Sequence, residues 1–416
     1  MRRKNPPVLS GDRLHLACRL TIVMAVLMLA GCALQRLPEP SPAPSPNPAP
    51  PVIAAPPVAA IPPVSTEPVT PPTPPTPPTQ GNKRKPVIVP VLFGTNRIPL
   101  ARVKGKAQGY GATRGPLVYG QSVVSIPPDR NKGEIPTPPS GFEDYAMFKN
   151  PMRYFRLLDA NQISEKDIAR ITANFFKSKP GKRSGLVFVH GYNVAFQAAA
   201  FRAAQMSFDM ELQSMPVFFS WASKAGTAAY WMDENTALQS VPDFKKFLTT
   251  YLGESKIDQV VIVAHSMGSR IVTSALVEMI DRDPKIAKKL LHLVLAAPDL
   301  DAAVFKEQVM PVLAGASVPV TVYASSRDRA LQTSVKLHGF TRVGSAGKEI
   351  VFGDGLETID ASAIDTDFLG HSYFASSPSL IRDIGTLVVE GKRAASRPNL
   401  KPRPSELAPH YWQMRP

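Results

Sequence analysis

Val260-Val261-Ile262-Val263-Ala264-His265-Ser266-Met267-Gly268 is the stretch on which the fold turns. Its unbroken apolar start is the pattern of a strand buried on both faces of a parallel sheet. The strand runs into a small-x-Ser-x-small turn, and helical periodicity resumes over Met267 to Ile280. Strand, sharp turn and helix together form a nucleophile-elbow context. Its requirement is steric: the turn strains the Ser backbone so that Oγ projects, and residues two away must be small. Gly268 meets this, and Ala264 is the mildest departure from Gly. The helix start adds backbone N–H groups and a positive dipole end. Ser266 is therefore the candidate nucleophile.

Working outward, strand signals fall at Val87 to Phe93, Gln121 to Ile126, Tyr154 to Leu158, Gly185 to Val189 and Val217 to Trp221. Beyond the elbow they fall at Leu291 to Ala296, Val318 to Ala324 and Leu356 to Ile359. Helical stretches are predicted over Ser164 to Phe176, Phe196 to Leu212, Asp243 to Leu252, Arg327 to Lys336 and Ser379 to Val388. Strands alternating with helices predict an α/β fold, with a mostly parallel sheet covered on both faces. Chemistry in such sheets sits at the carboxyl ends of the strands.

A Ser hydroxyl needs a base. The chain has seven His. His15 and His410 lie near the ends, His190 and His265 sit on motifs, and His292 begins a strand. His338 follows the candidate acid too closely. His371, in Gly370-His371-Ser372, follows the last predicted strand and is the candidate base. The acid that orients it is Asp328, after the strand Val318 to Ala324, with Asp299 and Asp301 as reserves. The oxyanion needs two aimed N–H donors. Met267 is one, and Tyr192, in His190-Gly191-Tyr192-Asn193, is the other, with Asn193 as alternate. His190 itself reads as a structural hydrogen-bonding residue. The interval from Ala296 to Val318 is too short for a large cap domain. Substrate contacts are therefore expected from the loop Ala222 to Gln239, with Tyr230 and Trp231.

Composition assigns the rest of the chain. The 416 residues carry a net charge of +15 and 44 Pro, 19 of them between Pro38 and Thr79. Tracts such as Pro71 to Thr79 prefer polyproline II and build no core. Residues 1–31 read as a signal peptide: Arg2, Arg3, Lys4, Arg13 and Arg19 precede the apolar run Leu20 to Ala30, which is too short to span a bilayer. The run ends in Leu29-Ala30-Gly31-Cys32, which resembles a bacterial lipoprotein cleavage box. That resemblance implies lipidation of Cys32, by a palmitate-type acyl group, and a membrane anchor in the cell envelope. Ala33, in place of Asp, favours the outer membrane, facing the periplasm. The expected organisation is a signal peptide over 1–31, a lipidated Cys and Pro-rich linker over 32–85, a folded domain over 86–390 and a basic disordered tail over 391–416. With the basic residues concentrated at the ends, the domain has an ordinary surface charge, and no zinc-finger, RNP-like, Walker A or Rossmann string occurs. No nucleic acid, metal or cofactor is expected. The oligomeric state is not encoded in any motif.

The segments Phe93-Gly94-Thr95-Asn96-Arg97, Val124-Ser125-Ile126-Pro127, His190 to Asn193, Ala264 to Gly268 and Gly370-His371-Ser372 are similar to those of a bacterial subfamily of α/β-hydrolases of unknown function. The resemblance implies the α/β-hydrolase fold with an eight-stranded sheet and a Ser266–Asp328–His371 triad. It supplies no substrate. The expected activity is hydrolysis of a small-molecule or lipid ester through an acyl-enzyme. The alternatives are acyl transfer or amide hydrolysis, or a non-catalytic envelope lipoprotein that binds through the same fold. Gly94 to Arg97 reads as a structural turn.

Overall fold

β6 (Gln259–His265) occupies the middle of a mixed sheet, as its apolar run requires. The computed structural model describes residues 85–138, 150–179, 181–224, 230–364, 376–403 and 411–415. Eleven strands lie in the order β10-β11-β9-β8-β7-β6-β4-β5-β1-β2-β3. β4 (Ser184–Val189), β5 (Met215–Ser220), β6, β7 (Leu290–Ala296), β8 (Val320–Ala324) and β9 (Leu356–Asp360) form a parallel centre. β1 (Val87–Pro99) joins β5 in parallel, and β2 (Tyr110–Ile126) and β3 (Arg156–Ile163) continue antiparallel.

Alternate residues of each central strand point to opposite faces, and each face has its own core. On one face Val187, Val217, Ile262, Leu293 and Val322 pack with α1 (Glu165–Phe176), α4 (Val241–Glu254) and α5 (Gly268–Arg282). On the other, Phe188, Phe218, Val263 and Val294 pack with α2 (Phe196–Asp209) and α7 (Pro378–Glu390). α3 (Tyr230–Gln239) and α6 (Arg329–His338) follow the carboxyl ends of β5 and β8. The chain steps one way from β4 to β5 and the other way from β5 back past β4 to β6. That reversal opens the crevice at the carboxyl ends of β4 and β6.

The sheet has eleven strands, not the expected eight. Part of the difference lies in residues 391–416, expected as a disordered tail. There β10 (Leu400–Arg403) and β11 (Tyr411–Met414) pair with each other, and β11 runs parallel to β9. The side chain of Arg397 is fully buried, donating to Asp383 at 2.7 Å and to Glu357 at 3.0 Å. It ties the segment to α7 and β9. Lys401, Pro402 and Arg403 then sit on an edge strand, where Pro and charge are tolerated. A second difference is α3, which occupies most of the expected loop Ala222 to Gln239. Among the described residues no helix is long and apolar enough to cross a membrane. Residues 1–84, with Cys32 and the Pro-rich tract, lie outside the described residues, as does His371.

Candidate active site

Ser266 stands between β6 and α5 with φ +51°, a left-handed conformation that only Gly adopts freely. Such a backbone costs about 1–3 kcal/mol and must be held by its surroundings. The Ser266 N–H donates to Ala296 O at 3.0 Å, and the Ser266 carbonyl accepts from Ser269 N–H at 3.0 Å and Asp299 N–H at 3.3 Å. Two glycines make the room. A Cβ on Gly191 would stand 2.7 Å from the Ser266 Cβ, and one on Gly268 would stand 2.4 Å from the His190 carbonyl oxygen. The demand on Gly268 is the physical content of the small-x-Ser-x-small pattern. Ala264 is fully buried beneath the turn.

Ser266 is only 2% exposed, and solvent reaches it through a cavity of about 250 Å³. Tyr192, Tyr230, Asp299, Leu331, Ser334 and Leu337 line that cavity with it. Tyr192 and Tyr230 meet edge to face at 5.5 Å. Thus Tyr230, expected as a substrate contact, reaches the cavity, while its neighbour Trp231 stays half-exposed against the His338 ring. Met267 is fully buried at the start of α5, and Tyr192 follows Gly191 at the carboxyl end of β4.

The acidic candidates separate by what they already hold. Asp301 caps residues 302–304 by accepting the N–H groups of Ala303 and Val304. Asp299 accepts hydroxyl donors from Tyr230 at 2.5 Å and Ser334 at 2.7 Å. Arg270 and Arg342 lie within 3.5 Å and 3.4 Å of its oxygens. Burial alone would raise the Asp299 carboxyl, but Arg270, the two hydroxyls and Arg342 hold it below its ordinary value. Its oxygens are committed to the cavity wall. Asp328 is buried at the start of α6, where Oδ1 accepts the Leu331 N–H at 3.0 Å. Leu331 in turn lines the cavity.

The described His residues are engaged elsewhere. His338 Nε2 meets Glu234 at 3.2 Å and Nδ1 meets Ser334 O at 2.9 Å. Glu234 is also salt-bridged to Arg270, which bonds Asp299 O at 2.7 Å. His190 stacks on Trp221 with centroids 5.3 Å apart, and its Nδ1 lies 2.8 Å from Gly191 O. Burial, reinforced by the nearby Arg97 charge, pushes its pKa down to about 3, so the ring is neutral. Among the described residues no group of three or more His, Cys, Asp or Glu is arranged to hold a metal ion.

Sequence reading had passed over Asp233 and Ser223. Asp233 is fully buried and accepts from Ser223 Oγ at 2.5 Å and Lys224 N–H at 2.7 Å. Asn193 N–H also points at Asp233, at 3.4 Å, and Asn193 adopts φ +57°. An acidic residue in the first turn of α3 was the only trace of this in the sequence.

Residues 165–393, more than half of the chain, match the family described as alpha/beta hydrolase of unknown function (DUF900). No curated protein matches the chain. Similar solved structures include a predicted CIB-like hydrolase from Thermoplasma acidophilum, at 16% identity over 51% of this chain and 89% of that one, with TM-score 0.30. A hydrolase from Oleispira antarctica is similar at 11% identity over 53% of this chain and 98% of that one, with TM-score 0.30. The carboxylesterase CesB from Bacillus subtilis is similar at 10% identity over 55% and 98%, also with TM-score 0.30.

Proposed function

The chain belongs to the DUF900 family of α/β-hydrolases, and from that premise we propose that it is a membrane-anchored serine hydrolase that cleaves carboxylic esters through an acyl-enzyme on Ser266. The observation that carries this reading is the strained Ser266, held at φ +51° in the wall of a partly apolar cavity. Other non-Gly residues share this conformation, Ala297 and Ser317 among them, but Ser266 alone of these serines also lines the cavity.

In the proposed reaction His371 takes the Ser266 Oγ proton as Oγ attacks the ester carbonyl carbon. The C=O π electrons move to oxygen, and the resulting oxyanion is met by the N–H groups of Met267 and Tyr192. Collapse expels the alcohol, which receives the proton from His371 and leaves the acyl group on Ser266. Water, deprotonated by His371, repeats the sequence and releases the acid. Asp328 orients the imidazole and stabilises its cationic form. The commitments of Asp299 and Asp301 elsewhere favour Asp328 for this role. Tyr192, Tyr230, Leu331 and Leu337 offer an apolar wall for the acyl or alcohol group of a small-molecule or lipid ester.

The anchor belongs to the same proposal. Cys32, lipidated after removal of residues 1–31, would hold the enzyme to the envelope, at the outer membrane facing the periplasm, with residues 32–85 as spacer. Labelling by a fluorophosphonate probe tests the enzymatic claim: wild type is expected to label, and Ser266→Ala is expected not to. Equal labelling of the two would remove Ser266 from the reaction. Incorporation of radiolabelled palmitate that persists in Cys32→Ala would remove the anchor.

A further inference from the structure

Arg97 is 1% exposed, yet no carboxylate lies in bonding contact with its guanidinium among the described residues. Burial lowers its pKa to about 10, opposed only by the field of Asp233. Four neutral oxygens take up the fork instead. Nε donates to Ser220 Oγ at 2.8 Å, Nη1 to Gly111 O at 2.9 Å and Ser223 O at 3.1 Å, and Nη2 to Val194 O at 2.6 Å. A buried charge of this kind is costly. What a planar fork of five donors provides is the fixing of several backbone segments at once.

The segments it joins are the ones around Tyr192. Val194 is held from both sides, its carbonyl by Arg97 and its N–H by Ser223 Oγ at 3.3 Å. Ser223 Oγ donates in turn to Asp233, which also faces the Asn193 N–H. At the other end of the loop, Ser220 Oγ lies 3.2 Å from His190 Nε2, and Trp221 Nε1 donates to His190 O at 2.8 Å. Of the bonds along His190 to Val194, those made through Ser220, Ser223 and Val194 lead to the Arg97 fork, and the Asn193 N–H faces Asp233. Of the other residues of the motif, Thr95 joins the same Ser220 anchor, while Gly94 and Asn96 act elsewhere. Gly94 makes room for Phe247, Thr95 bonds Ser220 O, and Asn96 bonds Ser240 and Asp243.

We propose that Arg97 is a positioning residue for the oxyanion hole: through Val194 and Ser220 it fixes the loop that aims the Tyr192 N–H at the reacting carbonyl. This rests on the ester-hydrolase reading and gives Arg97 a task within it. A donor displaced by a fraction of an ångström loses transition-state stabilisation while leaving ground-state binding intact.

The test uses the full chain with a chromogenic ester. Arg97→Lys retains charge but cannot span the four acceptors. It is expected to lower kcat about tenfold or more, with KM within about twofold, and to slow fluorophosphonate labelling in parallel. Arg130→Lys is the structural control. The Arg130 side chain is also largely shielded, at 4% exposure, but it pairs with Asp209, at 3.1 Å, and does not line the cavity. It is expected to lower the melting temperature without splitting kcat from KM. Ser223→Ala, which frees Val194 N–H, gives an independent reading in the direction of Arg97→Lys. A folded Arg97→Lys with wild-type kcat overturns the proposal, as does a fall in activity that only tracks the loss of folded protein. Turnover by the wild type in either case keeps the hydrolase reading standing, whereas a wild type that neither labels nor turns over overturns both.

Discussion

A Cβ on residue 268 would stand 2.4 Å from the carbonyl oxygen of His190, so the first residue of α5 touches the end of β4 backbone to backbone. The elbow and the loop carrying Tyr192 are therefore one packed unit. Gly268→Ala must push them apart. Overpacking of this kind costs about 1–3 kcal/mol. The expected result is a lower melting temperature and a fall in ester turnover larger than the loss of folded protein explains. Urea unfolding beside kcat measurement checks both.

Ser266 itself carries backbone strain, at φ +51°. Ser266→Gly should relieve the left-handed backbone and raise unfolding stability by about 1 kcal/mol, while abolishing activity. Ser266→Ala abolishes activity without that gain, because Ala is strained at the same φ. Comparing the two by denaturant unfolding separates backbone strain from loss of the hydroxyl.

His190 makes stability depend on pH. Its folded-state pKa of about 3 lies below the ordinary 6.5. The unfolded chain therefore binds the extra proton first, and stability is full above about pH 6.5 and falls as pH drops towards 3. Between pH 7 and pH 5 this group alone should cost about 2 kcal/mol. His190→Asn should flatten that slope, which urea titrations at the two pH values would read directly.

Asp299 and Asp328 should fail in different ways. Asp299→Asn leaves Arg270 and Arg342 facing a neutral partner in a buried site, and a loss of about 3–5 kcal/mol is expected. Asp328→Asn should lower kcat by several orders of magnitude with little change in stability, as expected of the residue that orients the base. Thermal unfolding and kcat on both variants decide which carboxylate belongs to the reaction. A stable, inactive Asp299→Asn beside an active Asp328→Asn would reverse the assignment.

The C-terminal segment offers a test of the fold. Arg397→Met leaves Asp383 buried without its guanidinium and strips Glu357 of one of its two, Arg393 remaining at 2.8 Å. It should destabilise the domain by about 3–5 kcal/mol. A solvated tail would tolerate the change.

The same residues mark where the sequence could be read and where it could not. β4 to β8 announce themselves as largely apolar runs because both their faces are buried. The elbow was legible because its demand, small residues two away from Ser266, is local. β10 was not: Leu400-Lys401-Pro402-Arg403 has a loop's composition, and only its pairing with β11 makes it a strand. Arg397 looked like one more basic tail residue, since its carboxylates lie 14 and 40 positions away. α3 has a polar surface and a weak apolar stripe, so Tyr230 and Asp233 read as loop residues. The split between Asp299 and Asp328 rests on which hydroxyls and guanidiniums surround each, and no spacing rule carries that information. Cys32 and His371 are legible only as sequence.

The most direct measurement is mass spectrometry of the full-length protein quenched during turnover of a chromogenic ester. An acyl adduct is predicted on the peptide containing Ser266, at a level that decays with the rate of deacylation, and absent from Ser266→Ala. Steady hydrolysis by Ser266→Ala at the wild-type rate, or an adduct on any other residue, would contradict the account.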